Sequence, residues 1–182
     1  MLKKIRRIVT ENDENGKSRV MLDGHAEQII TVLTEMWLTK SGPHDHTRPV
    51  DLAKESTTLE PPKGGTVFRF FQIAPEAQNA HLSWEERQRA GREWFEAMGA
   101  AHLQPDTSRH ETMHLSPTTD YIVLLSGEVT LVLDTEERKL KPFDVVIQRR
   151  TNHAWVNHGN EDALMLAVLV DGGGSAVEEQ VL

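Results

Sequence analysis

The strongest constraint on the fold is a succession of short strand-like segments in the C-terminal part of the chain. From Asp120 onward, runs rich in Val, Ile and Leu alternate with tight polar turns, at residues 121–125, 129–133, 144–148, 154–157 and 164–170. Short strands at this spacing are typical of an antiparallel sandwich or barrel. We therefore expect a mostly β protein.

The N-terminal part adds further strands and a long loop. Residues 4–9 and 18–22 predict two strands around the polar turn 11–16, and residues 29–38 and 66–73 predict two more. Residues 39–64 are rich in Pro, Gly, Lys, Thr and Asp, which favours a surface loop.

One helix is predicted from Ser83, because Ser83-Trp-Glu-Glu86 matches a capping box. Ala90, Trp94 and Met98 are four residues apart, Phe95 widens that face, and Gly99 is a stop signal, all in agreement with an amphipathic helix. We interpret the apolar stripe as core packing.

Composition excludes several classes of protein. The 182 residues carry a formal net charge of −8 and no cysteine, so nucleic acid is an unsuitable partner and disulfides or thiolate sites are excluded. The basic start lacks an apolar run of signal-peptide length, and no stretch approaches a membrane span. The expectation is a cytoplasmic protein without a membrane partner.

Histidines beside the predicted strands form two spaced patterns. His114 is followed after five residues by Asp120 and then after six by Gly127. Further on, His153 is followed after three residues by Asn157. The chain resembles the cupin superfamily, whose first motif ends in His-x-His, Glu and Gly and whose second ends in His, three residues and Asn. It is most similar to small stand-alone type-2 cupins of the RmlC-like kind.

The resemblance implies a single antiparallel jelly-roll β-barrel with one peripheral helix and a long surface loop. It places one domain over residues 1–182, with strands, loop and helix of 1–100 packed on a core at 105–170 and a flexible tail at 171–182. It also implies a homodimer. Two histidines and a carboxylate are expected to converge on one divalent metal ion, Fe, Mn, Ni or Zn.

Several positions depart from the family pattern. Thr112 stands where the first motif has its first histidine, and Asp120 replaces the glutamate with one extra residue before it. The second family motif also contains two glycines and a proline before its histidine. Here Phe143 and Arg150 occupy the glycine positions, and Gln148 occupies the proline position. These departures affect the expected metal site more than the expected fold.

The candidate metal ligands are His110, His114, Asp120 and His153. His114, Asp120 and His153 form a two-histidine, one-carboxylate set, which suits non-haem iron and leaves positions for substrate. His110 is four residues from His114, roughly 13 Å along a straight strand, so either the chain bulges or His110 is not a ligand. A metal-free pocket, in which His114 and His153 only form hydrogen bonds, stays open as an alternative.

Two further histidine patterns have simpler interpretations. Residues 110–114 read His-Glu-x-x-His, the zinc-peptidase motif, but that motif requires a helix, and the polar segment before it and Pro117 after it disfavour one. His44-Asp45-His46 is a literal His-x-His, but no strand-forming residues follow, so a solvated loop is the better interpretation.

Arg109, Tyr121, Gln148 and Trp155 are candidate substrate-binding residues. Trp155 shares strand parity with His153, so it faces either the same cavity or the core. The predicted function is a metal-dependent reaction on a small organic molecule: dioxygenation, decarboxylation or isomerisation. Two alternatives remain, a non-catalytic ligand-binding module and a metal-free lyase or cyclase that uses the pocket histidines. Catalytic residues are not assigned.

Overall fold

The computed structural model describes residues 2–43 and 50–173. Its strands are β1 Arg6–Asn12, β2 Ser18–His25, β3 Ile29–Ile30, β4 Leu33–Thr39, β5 Thr66–Ile73, β6 Thr118–Ser126, β7 Val129–Leu133, β8 Glu137–Leu140, β9 Val145–Arg149, β10 His153–Val156 and β11 Ala163–Asp171. Helix α1 spans Trp84–Ala97, and short 3₁₀ helices lie at Leu52–Glu55, Glu76–Asn79 and Ala101–Leu103. The mostly β fold class with one α-helix is therefore confirmed within the described residues. None of the helices there has the length and apolar character needed to cross a membrane.

The strands form an antiparallel jelly roll. Six of them make one sheet in the order β3-β4-β5-β11-β6-β9, and three make the facing sheet in the order β10-β7-β8. The strands β1 and β2 pair only with each other. Because β4 and β5 lie inside the six-stranded sheet, the N-terminal half of the chain supplies part of the wall that surrounds the core.

Alternation along the strands creates the core between the two sheets. On β6, Asp120, Ile122 and Leu124 are buried, whereas Tyr121 between them is half-exposed. On β5, Val67, Arg69 and Phe71 are buried in the same alternating way. A strand that presents every second side chain to one face sorts its residues in this way.

Helix α1 begins with the predicted capping box. The Ser83 hydroxyl accepts a hydrogen bond from the Glu86 amide at 3.2 Å, and the Glu86 carboxylate accepts one from the Ser83 amide at 2.8 Å. Gly99 follows the helix with φ +64°, a conformation that suits glycine. Gly91 packs so closely that an added Cβ would lie 2.5 Å from the Glu111 carbonyl oxygen.

Two of the departures from the family motif keep the backbone that a glycine would allow. Phe143 has φ +74° and Arg150 has φ +50°. Residues other than glycine seldom occupy this region. The two turns that flank β9 therefore keep a residue in the left-handed backbone conformation, although neither residue is glycine.

Candidate active site

A cavity of about 400 Å³ lies between the two sheets and beneath helix α1. This volume is sufficient for a small organic molecule. Its walls are mostly apolar, and the residues that matter below are Arg69, Phe71, Trp94, Phe95, His114, Asp120, His153, Trp155 and Ala167. Five of the predicted site residues line this cavity: His110, His114, Asp120, His153 and Trp155.

The structure brings His114 and His153 together on one wall. The two residues form an isolated antiparallel bridge, in which each amide donates a hydrogen bond to the other's carbonyl oxygen at 2.9 Å. Their ring centroids are 4.3 Å apart. The chain turns just before His114, since the Met113 amide bonds the His110 carbonyl oxygen at 3.0 Å. Residues 110–114 are therefore a turn and a bridge, without the helix that a zinc peptidase requires.

Both rings are fixed in one tautomer. His114 Nδ1 lies 3.0 Å from the Thr112 carbonyl oxygen, and His153 Nδ1 lies 2.9 Å from the Thr151 carbonyl oxygen. A carbonyl oxygen only accepts, so Nδ1 carries the proton in each neutral ring and Nε2 keeps its lone pair. His114 and His153, which line the cavity, therefore each have an Nε2 atom that can accept a hydrogen bond.

Burial keeps both imidazoles uncharged at neutral pH. It lowers the pKa of His114 to about 4, and it lowers the pKa of His153 well below its usual value, with the His114 charge as a second cause. An imidazole that is not protonated at pH 7 is free to accept a proton, a hydrogen bond or a metal ion.

Aromatic side chains hold the histidine rings in place. The Phe95 ring lies 5.0 Å from that of His114, and the Trp155 ring lies 5.4 Å from that of His153 in an edge-on arrangement. Trp155 thus lines the cavity beside His153. Phe95 belongs to the apolar stripe of α1, for which the sequence predicted core packing, and it is buried. Phe95 and Trp94 of this stripe also line the cavity. Periodicity alone could not distinguish these two roles.

Asp120 lies in the same cavity but belongs to a different polar group. Burial raises the pKa of Asp120 to about 6, against the opposing effects of Thr118 and Arg69. Arg69 is ion-paired with Glu35 at 3.1 Å, and both are almost completely buried. Arg69 and Glu35 were not predicted as site residues; the signal in the sequence is a charged residue at an inward-facing position of an otherwise apolar strand.

His110 lies at the cavity wall in a third environment. Its Nδ1 accepts from the Thr112 amide at 3.2 Å, so the proton of its neutral ring is on Nε2. That Nε2 is 3.7 Å from Glu111 and 3.9 Å from Glu76. Its tautomer is therefore opposite to those of His114 and His153.

The four predicted metal ligands lie in three different environments at the wall of the cavity. No group of three or more His, Cys, Asp or Glu side chains in residues 2–43 and 50–173 has a geometry that could hold a metal ion. His114 and His153 have the neutral state and the carbonyl-anchored Nδ1 of metal-binding histidines. A complete three-ligand set is not assembled with them, so the residues fit the predicted metal only in part.

The remaining candidates lie outside the cavity wall. Arg109 pairs with Glu137 at 2.8 Å, and Tyr121 is half-exposed on the opposite face of β6 from Asp120. Gln148 is buried and bonds the Thr151 carbonyl oxygen at 3.1 Å. These three do not contact the cavity in the described part of the chain. His44 and His46 lie outside the described residues.

Comparisons with known proteins point to the same region. A cupin domain family model matches residues 100–169. The phomopsin biosynthesis cluster protein C' of Diaporthe leptostromiformis is 28% identical over 166 residues, which cover 85% of this chain and 71% of that protein. The cupin-domain-containing oxidoreductase srdD of Neurospora crassa is 24% identical over 93% of this chain and 76% of its own length.

Solved structures align with a smaller part of the chain and at lower identity. A Klebsiella pneumoniae protein with a double-stranded β-helix domain aligns with 59% of this chain and 68% of its own chain, at 17% identity and a TM-score of 0.37. The identification rests on the family match and on the antiparallel strand order around the histidine pair. Residues 100–169 are therefore identified as a cupin domain.

Proposed function

We propose that this cupin is an enzyme that acts on a small, mostly apolar organic molecule, with His114 and His153 at the reacting group. One observation carries the proposal: two neutral imidazoles lie side by side, each anchored through Nδ1, at the wall of a cavity of about 400 Å³. Such lone pairs in an apolar space require a hydrogen-bond donor or a metal ion as partner.

The first candidate reaction is proton transfer within the bound molecule. One imidazole Nε2 takes a proton from the molecule and returns it at another atom, so that isomerisation, cyclisation or elimination proceeds without a further reactant. Phe95 and Trp155 fix the ring positions, and the apolar walls exclude water that would compete for the proton.

The second candidate is a metal-dependent oxidoreductase. It is favoured by the carbonyl bonds to both Nδ1 atoms, which orient metal-binding histidines in other proteins, and by a relative named as an oxidoreductase. A bound divalent metal would supply Lewis-acid or redox chemistry. It requires a donor beyond the two histidines, which the described residues do not group with them.

One experiment separates these candidates. Protein purified without added metal is assayed by elemental analysis and then incubated, with and without chelator, with a panel of small apolar molecules that carry a hydroxyl group. Mass and NMR spectra report conversion. His114→Leu and His153→Leu are expected to abolish conversion, and Tyr121→Phe on the outer face is the matched control.

Conversion that survives chelation supports proton transfer, and stoichiometric metal with loss of conversion on chelation supports the metal-dependent candidate. Full conversion by both leucine variants would refute the proposal. The homodimer stays a prediction that light scattering tests.

A further inference from the structure

The polar group around Arg69 contains more carboxylates than it can neutralise. Arg69 is 1% exposed and Glu35 is 0% exposed, and the Arg69 Nε to Glu35 distance is 3.1 Å. Arg69 also donates to the Leu59 carbonyl oxygen at 2.8 Å and to the Thr58 carbonyl oxygen at 3.3 Å. Its single positive charge is therefore balanced by Glu35.

Asp120 is a second carboxylate beside this neutral pair. It is 4% exposed, and its Oδ1 atom is buried without a hydrogen-bond partner in the described part of the chain. The hydroxyls of Ser116 and Thr118, 2.6 Å apart, lie on the same face of the chain, and Thr118 bonds the carboxyl group of Asp120. An unpartnered buried carboxylate oxygen is costly, as are the two Glu35 oxygens beside it, so this cluster requires a hydrogen-bond donor, either water or a bound molecule.

The strand register brings Arg69 and Asp120 to the same cavity wall, on either side of β11. Ala167 of β11 pairs with Arg69 on one side and with Ile122 on the other, and Leu169 pairs with Asp120. Arg69, Asp120 and Ala167 all line the cavity.

We propose that Asp120 is a ligand-binding residue whose carboxyl group accepts a hydrogen bond from a hydroxyl or ammonium group of the bound molecule. This inference rests on the proposed function and deepens it. The substrate class is a small apolar body that carries two donor groups, one for the histidine pair and a separate one for Asp120. The Arg69–Glu35 pair keeps the carboxylate in place.

The test uses chelator-treated full-length protein and three matched probes: 2-naphthol, 2-methoxynaphthalene and 2-naphthylmethylamine. Titration calorimetry measures their affinities. Wild type is expected to prefer a donor probe over the methyl ether by about tenfold or more, the factor for a hydrogen bond to a charged group. The preferred donor probe tells a hydroxyl site from an ammonium site.

Asp120→Leu is expected to reduce this preference below about twofold while the affinity for 2-methoxynaphthalene is kept. Asp120→Asn keeps an acceptor oxygen without the charge, so it is expected to lose preference for the amine but to retain part of that for 2-naphthol. Tyr121→Phe, next in sequence but on the other face, is the control. Circular dichroism confirms folding of each variant.

A wild type that does not prefer either donor probe, including one that binds none of them, would overturn the inference, as would an undiminished preference in Asp120→Leu. The proposed function has its own test, because it is refuted only by full conversion in the His114→Leu and His153→Leu variants. A His114→Leu variant that lacks conversion but keeps the donor preference supports both.

Discussion

The cavity contains two polar groups that meet the cost of burial in different ways. The histidine pair is neutral, and the Nδ1 proton of each ring has a carbonyl partner. The group of Glu35, Arg69 and Asp120 is charged, and several of its oxygen atoms have no hydrogen-bond partner in the described residues. A neutral polar group can be buried at little cost where it is hydrogen-bonded, whereas a buried charge depends on a partner of opposite sign. This difference predicts how the stability of the protein responds to substitutions in each group and to pH.

The largest effect is expected from Arg69→Met. It leaves Glu35 and Asp120 buried without a cation, and removal of one partner of a buried ion pair costs about 3–5 kcal/mol of unfolding free energy. Urea denaturation measures the loss. A Glu35→Leu/Arg69→Met double variant is the control and is expected to recover most of it. An unchanged midpoint in Arg69→Met would show that the cluster is not charged.

Asp120 and His114 are expected to contribute to the unfolding free energy with opposite pH dependence. Burial raises the pKa of Asp120 from 3.8 to about 6, so the folded protein binds this proton more tightly and the unfolding free energy falls as pH rises from about 4 to 6. Burial lowers the pKa of His114 from 6.5 to about 4, so the unfolded chain binds more protons and the unfolding free energy falls as pH drops from about 6.5 to 4.

Each contribution amounts to about 3 kcal/mol at most. Unfolding free energies of chelator-treated protein, measured from pH 4 to 8, test the signs. Because the two contributions oppose each other between about pH 4 and 6, Asp120→Asn is expected to make the unfolding free energy rise more steeply with pH there, and His114→Leu to make it rise less steeply. Parallel profiles for wild type and both variants would contradict the comparison.

Gly91→Ala is expected to disturb only the histidine side. The new Cβ would lie 2.5 Å from the Glu111 carbonyl oxygen, so α1 has to move, at a cost of about 1–3 kcal/mol. Phe95 on α1 contacts the His114 ring, and NMR shifts of the histidine rings should therefore change. Gly24→Ala, with open space around it, is the matched control. Unchanged NMR shifts of the histidine rings would show that α1 does not control their position.

The smallest effect on stability is expected from His114→Leu and His153→Leu. Each removes a neutral ring and leaves one carbonyl oxygen without its partner, which costs about 1 kcal/mol. The same denaturation measurement as for Arg69→Met makes the comparison direct. A loss as large as that of Arg69→Met would mean that the histidine pair is a structural element.

The sequence predicted the local features that depend on near neighbours. The capping box at Ser83, the strand at 129–133 and the strand at 66–73 follow from residue type and alternation, and the structure has them. The predicted strand at 29–38 instead divides at Thr31, which has φ +53°. The charged strand Glu137–Leu140 was missed, because its pairing with β7 rather than its own composition makes it a strand.

The sequence by itself determined that the chain is mostly β and resembles the cupins, and that His114 and His153 are candidates for its site. Only the tertiary structure decided that these two rings meet while Asp120 turns toward Arg69. The reason is that Arg69, Glu35 and Asp120 lie on three different strands, and their proximity depends on sheet register. Spacing along one strand fixes which face a side chain occupies, but it does not fix which charge lies opposite.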